Sequence, residues 1–225
     1  MVSVIPTAGS RTNVADRHVR PLLACGVAAG PLFSLLVAAQ SLTRDGYDPA
    51  QHPLSMLALG EHGWIQTAAF LLAGVLVLAS AVGLRRVLEP GSPGRIWGSA
   101  LIGVYGASLV WSGLFPTDPA DGFPVGTPAG PATEVSWHGM LHNLAPVGMS
   151  LALGIAALVF ARRFARQGRT GWMIYSIAAP LVHFALAAAA MPAGNFGLMT
   201  IGGVVIWTWA SALCLRSLTV RSARS

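Results

Sequence analysis

The sequence predicts an all-α protein, a compact bundle of six transmembrane helices. Of its 225 residues 54% are hydrophobic, and the mean hydropathy is +0.62. The apolar residues come in long blocks, six of which approach the roughly 20 residues that cross a hydrocarbon layer. Strands of a membrane barrel would alternate polar and apolar residues, and a block such as 71–79 shows no alternation.

Each apolar block predicts one helix. The predicted helices cover residues 21–40, 64–84, 96–115, 138–160, 172–191 and 197–215. They form a membrane domain at 21–216, between a disordered cytoplasmic tail at 1–20 and a second cytoplasmic tail at 217–225. Gly74 and Gly106 belong to the small residues of the second and third helices, which predict close contact between helix backbones.

The arginines predict the orientation of the bundle. All 14 basic residues are arginine, and only Arg44 falls outside the tails and the loops that follow the second and fourth helices. Because cytoplasmic loops are enriched in arginine, both termini are expected in the cytoplasm and the protein in the cell (plasma) membrane. The same bias accounts for the net charge of +6. The expected partner is therefore the lipid bilayer, not nucleic acid.

Most of the side chains that could act in catalysis or bind a metal fall in the two predicted extracytoplasmic loops. These side chains are His52, Ser55 and His62 in the first loop, and Asp118, Asp121 and Glu134 in the second. The second loop holds five prolines and three glycines between residues 116 and 136, which predict an irregular cover over the bundle. Ser136 is a good N-cap for the helix that follows.

Two histidines near the start of the fourth helix suggest a metal site. His138 and His142 are four residues apart, so they project from one helix face and can share a zinc ion. The positive end of the helix dipole favours neutral rings, which bind metal. Zinc would need a further ligand, for which Asp118 is the acidic candidate.

The remaining ligand and the catalytic base stay open. A third histidine ligand is nominated from His52, His62 and His183. Asp121 or Glu134 would act as general base, or would hold an imidazole in place.

The same residues also fit a structural role. Both interfacial histidines can hydrogen-bond to loop carbonyls, and Asp118 can cap a turn, which would hold the loop shut without catalysis. His183 lies about 12 Å inside the fifth helix and fits either a functional site or a hydrogen bond between helices.

Three motifs carry a resemblance to a known family. RDGYDPAQHPLSMLALGEHGWIQ at 44–66, FPTDP at 115–119 and WHGMLHN at 137–143 resemble the bacterial membrane family catalogued as domain of unknown function 998. The resemblance covers about 21–216, implies about six helices and supplies no activity.

A more distant resemblance is to the alkaline-ceramidase-like membrane hydrolases, which use a serine, an aspartate and an HxxxH pair around zinc. The matching residue types here are Ser55, Asp118 and the pair His138 and His142. This resemblance implies a zinc-dependent hydrolase with a lipid substrate.

Two functions follow from the sequence. The first is a metal-dependent hydrolase acting on a lipid or other hydrophobic substrate at the extracytoplasmic face, with Asp118, Ser55 and Asp121 as candidate catalytic residues. The second is a non-enzymatic structural or sensory membrane protein whose outer loops cap the bundle and bind a partner. A transporter is disfavoured because no charged residue lies at a predicted midplane.

Overall fold

A computed structural model describes residues 9–132 and 134–222, and this part of the chain folds into six α-helices. They are α1 (Gly9–Thr43), α2 (Gly63–Val87), α3 (Ser99–Leu114), α4 (Trp137–Arg166), α5 (Thr170–Ala193) and α6 (Gly197–Ser222). A 3-10 helix at Leu54–Ala58 lies between α1 and α2, and a π-helical turn at Gly94–Gly98 runs directly into α3. The predicted all-α class is confirmed for the described residues.

The six helices form a closed ring. Each helix packs against its neighbours in the chain, and α6 returns to pack against α1. A Cβ atom added to Gly74 would lie 2.8 Å from the Gly106 carbonyl oxygen, and one added to Gly106 would lie 3.0 Å from that of Gly74. The backbones of α2 and α3 are therefore in direct contact, as the small residues predict.

Aromatic side chains fill the centre of the ring. The ring centroid of Trp207 lies 5.6 Å from that of Phe33 and 5.2 Å from that of Tyr105, which joins α6 to α1 and α3. Trp209 is fully buried, and its indole N–H donates to Ser176 Oγ of α5 at 3.0 Å. The buried indole N–H thus has the partner that a low-dielectric interior requires.

The outside of the ring is apolar. Leu35, Val75, Leu181 and Ile201 are each more than half exposed. Five helices, α1, α2, α4, α5 and α6, are long and apolar enough to cross a membrane. An apolar surface on this scale is expected where helices contact lipid.

The ends of the helices differ from the prediction. α1 begins at Gly9, inside the predicted tail at 1–20, while residues 1–8 lie outside the described part. Residues 9–20 contain no proline, and extending an existing helix gains about one hydrogen bond per residue. For the same reason α6 extends to Ser222, into the predicted tail.

The third helix is shorter than predicted. Regular α-helix covers 16 residues, because Gly94–Gly98 adopts π-helical hydrogen bonding before α3 begins at Ser99. Together they make one continuous helical segment, 94–114, which is about 30 Å long.

Candidate functional site

The end of α3 and the start of α4 are tied together by a cluster that we name the clasp, consisting of Asp118, Ser136 and His138. Asp118 accepts hydrogen bonds from the Ser136 backbone N–H at 3.1 Å and from Ser136 Oγ at 2.5 Å. Ser136 Oγ also accepts from the backbone N–H of Gly139 at 3.0 Å. The predicted N-cap at Ser136 is confirmed, and its hydroxyl links the carboxylate to the helix.

His138 completes the clasp. Its Nδ1 lies 3.1 Å from the Pro116 carbonyl oxygen, 2.9 Å from Ser136 Oγ and 3.9 Å from Asp118 Oδ1. A carbonyl oxygen only accepts, so the hydrogen bond to Pro116 places the proton on Nδ1. This is the bond to a loop carbonyl that the structural alternative predicts.

Gly139 leaves room for the clasp. A Cβ atom at this position would collide with the Asp118 carboxylate. The carboxylate therefore lies directly against the first turn of α4, where the helix dipole favours a negative charge.

His142 ties the same two helices one turn further in. Its Nδ1 donates to the Phe115 carbonyl oxygen at 2.6 Å, and the residue is 2% exposed. Beside it, the indole N–H of Trp111 donates to the Leu141 carbonyl oxygen at 2.8 Å. A side chain of α4 thus binds the carbonyl oxygen that follows α3, and a side chain of α3 binds a carbonyl oxygen of α4. The two hydrogen bonds hold the end of α3 against the start of α4.

His52 lies in a different place and joins the two outer loops. Its Nδ1 accepts from the Asp48 backbone N–H at 2.9 Å, so Nε2 carries the proton and donates to the Asp121 carbonyl oxygen at 3.0 Å. The Tyr47 hydroxyl donates to the His52 carbonyl oxygen at 3.0 Å. Burial raises the pKa of Tyr47 to about 12. We name Tyr47, His52 and Phe123 the loop lock, because their rings pack together.

Arg44 supports the loop lock. Its guanidinium donates to the Leu59 carbonyl oxygen at 2.5 Å and lies 5.8 Å from the centroid of the Phe123 ring. Burial lowers the pKa of Arg44. Arg44, the one arginine predicted to lie on the extracytoplasmic side, therefore contacts both outer loops.

The geometry lends no support to a zinc site. Within residues 9–132 and 134–222, no three His, Cys, Asp or Glu side chains come close enough together to hold a metal ion. The Nδ1 atoms of His138 and His142 face backbone carbonyls, and both ring nitrogens of His52 are bonded. Such a group of three is what a zinc site draws from the protein, and zinc binding stays a prediction.

The other nominated residues separate. Asp121 contributes its backbone to the loop lock while its side chain is exposed, and His62 and Glu134 are exposed as well. Ser55 and His183 instead line a cavity at the centre of the ring, together with the buried His142.

This central cavity has a volume of about 180 Å³. Its wall is mainly apolar and includes Phe33, Phe70, Leu109, Met149, Leu153 and Trp207. Ser150 Oγ lies 3.3 Å from His183 Nε2 in the same wall, and no carboxylate is among the lining residues. An apolar cavity with a few polar groups is the usual form of a small-molecule site.

Sequence reasoning missed Ser112, which is 1% exposed. Its Oγ lies in the wall of the cavity and has no hydrogen-bond partner among the described residues. It also missed Gln40 and Gln66, which pair across α1 and α2 through a buried hydrogen bond of 2.7 Å. The sequence did carry a signal for these three residues, because each is a polar side chain inside an apolar block. A polar side chain within a membrane is costly and commonly has a function.

The ring of apolar helices, with polar groups gathered at one end and around a central cavity, defines a multi-pass membrane protein. The family model described as "Protein of unknown function (DUF998)" matches residues 27–216, and the chain belongs to this family. This confirms the resemblance drawn from the three motifs. Searches of the curated proteins and of the solved structures each found no match.

Proposed function

We propose that the protein binds a lipid or another hydrophobic molecule in the central cavity, beneath a cap made by the two outer loops. The observation that carries this proposal is the central cavity itself, an apolar space into which Ser112 and His142 bring polar groups. A buried hydroxyl without a partner costs free energy, which a ligand that hydrogen-bonds to it would recover.

A groove on the outer surface of α1 and α6 supplies an entry route. It measures about 410 Å³ and shares five lining residues with the central cavity. The shared residues are Phe33, Leu54, Thr200, Gly203 and Trp207. A molecule dissolved in the bilayer would thus reach the cavity sideways, without passing through water.

Gly203 gives a direct test of this route. A Cβ atom there would meet nothing within 4 Å, so Gly203→Leu fills the passage without straining the backbone. A purified protein incubated with a diazirine-labelled fatty acid is expected to crosslink in the cavity wall, and Gly203→Leu to crosslink much less. Gly171→Leu is the matched control, because its Cβ also has open space but lies outside the passage. Equal labelling of the three proteins would contradict the proposal.

The proposal includes six membrane crossings with both termini in the cytoplasm. Its support is the continuous helical segment 94–114, which adds a sixth segment of crossing length to the five long helices. In intact cells, an impermeant maleimide should label Thr127→Cys in the outer cap but not Ser92→Cys before α3. The reverse pattern would invert the topology.

Hydrolysis of the bound molecule is a second candidate. It is favoured by the contact between Ser150 and His183, which has the pairing of a serine nucleophile with its base. A fluorophosphonate probe should then label the protein, and the label should be lost in Ser150→Ala but kept in Ser55→Ala. Labelling of Ser55 instead would favour the nucleophile that the sequence suggests.

A metal-dependent form of this reaction, with zinc on His138 and His142 and with Asp118 as ligand, rests on the sequence spacing. It predicts about one zinc per chain in protein purified without a histidine tag or chelator. Elemental mass spectrometry of the wild type and His138→Ala decides it, and a metal-free wild type would end this version.

A further inference from the structure

A second pocket, of about 580 Å³, lies at the opposite end of the bundle, which we name the arginine end. Three guanidinium side chains line it, those of Arg163, Arg169 and Arg216. Gln167 and Ser217 add an amide and a hydroxyl. The rest of its wall is apolar and consists of Val87, Leu88, Phe160, Phe164, Leu213 and Val220.

The charges in this pocket are not balanced among the described residues. Glu89 is the one carboxylate among the lining residues, and its Oε2 lies 3.6 Å from Arg163 Nη1. The Glu89 side chain is 64% exposed, so water screens this pair. Arg169 and Arg216 have no carboxylate partner among the described residues, which leaves the pocket with three cations and one anion.

Two aromatic rings hold the guanidinium group of Arg216 in place. Its guanidinium carbon lies 5.3 Å from the centroid of the Phe164 ring and 4.9 Å from that of Trp172. Such packing fixes the plane of the guanidinium, while its N–H groups along the edge stay available to an acceptor. Arg169 directly precedes α5, whose N-terminus has no side-chain cap and adds positive potential.

We propose that this pocket binds a phosphate group. Guanidinium groups bind phosphate oxygens through paired N–H bonds, and Ser217 and Gln167 offer further donors. The apolar wall suits the carbon atoms attached to the phosphate. This chemistry is shared by the headgroup of an anionic phospholipid and by a soluble phosphate, and it is independent of the ligand proposed for the central cavity.

Arg169→Gln is the clearest test, since the Arg169 side chain makes no hydrogen bond or ion pair within the described residues. Native mass spectrometry of the full chain in neutral detergent would measure retention of added phosphatidylglycerol, and calorimetry would measure binding of inorganic phosphate. Arg169→Gln should weaken binding about tenfold, the loss of one charge-assisted contact. Arg166→Gln, an equal charge change on an exposed side chain outside the pocket, should alter it by less than about twofold.

The two probes distinguish the sources of the phosphate. Arg169-dependent binding of phosphatidylglycerol identifies a lipid headgroup, and Arg169-dependent binding of inorganic phosphate identifies a soluble ligand. Arg216→Gln, with its fold checked by near-ultraviolet circular dichroism, should reproduce the loss. Equal weakening by Arg169→Gln and Arg166→Gln, or binding of neither probe, would overturn the proposal.

Discussion

The two ends of the bundle hold their charges in different ways. At the end that carries the outer loops, which we call the loop end, the clasp and the loop lock tie polar side chains to backbone groups, and even Arg44 bonds to a carbonyl. At the arginine end, two of the three guanidinium groups in the pocket have no carboxylate partner among the described residues.

This difference separates architecture from binding. A polar group whose hydrogen bonds are complete within the protein stabilises the fold and has little left to offer a ligand. A cluster of like charges destabilises the fold slightly until a counter-ion arrives. Substitutions at the loop end should therefore lower stability, whereas substitutions in the arginine pocket should lower ligand binding and leave stability nearly unchanged.

The largest effect is expected at Gly139. Gly139→Val drives a side chain into the Asp118 carboxylate and breaks the clasp, with an expected loss of about 3 kcal/mol of unfolding free energy from two charge-assisted hydrogen bonds. Unfolding in mixed micelles followed by circular dichroism measures it. Gly171→Val, where the Cβ has open space, should cost much less. Equal losses in the two variants would show that the clasp contributes nothing.

Next in size is the loop lock. His52→Ala removes two partly buried hydrogen bonds, one to Asp48 within the first outer loop and one to Asp121 of the second, with an expected loss of about 2 kcal/mol. The loops should separate first, so limited proteolysis within residues 116–132 should speed up before the helices unfold. His62→Ala, at an exposed histidine, is the control and should keep the wild-type cleavage rate.

The raised pKa of Tyr47 predicts the pH above which Tyr47 no longer contributes its full share to the stability of the loop lock. Burial favours the neutral phenol in the folded state, so this contribution is complete below pH 10 and is lost as the pH rises towards 12. Above pH 10 the stability of the wild type should fall more steeply than that of Tyr47→Phe. Parallel pH curves for the two proteins would place Tyr47 outside the folded core of the loops.

The smallest effect on stability is expected for Arg169→Gln. Its side chain makes no described hydrogen bond, so the unfolding free energy should change by less than about 0.5 kcal/mol. A loss as large as that at the loop end would mean that the arginine pocket is structural as well, and the contrast between the two ends would disappear.

The sequence predicted more of the fold than of the site. Block length and hydropathy located the six α-helices of the described residues, because a helix that contacts lipid must carry a long apolar run within its own segment. The N-cap at Ser136 is local too, since its hydroxyl bonds to Gly139, three residues away. The helix ends were less predictable, because 9–20 and 217–222 continue helices without an apolar signal.

The sequence by itself determined the helices, the all-α class, the family resemblance and the separation of charge between the ends, since each depends on composition or on neighbours in the chain. Only the tertiary structure decided which nominated residues meet. His52 and Ser55 are close in sequence, but His52 lies in the loop lock and Ser55 lines the central cavity. Residues far apart, such as His142 and His183, line one wall. The physical reason is that packing between helices closes the ring, and the closed ring fixes these contacts. The spacing of residues along the chain does not show which helices will pack together.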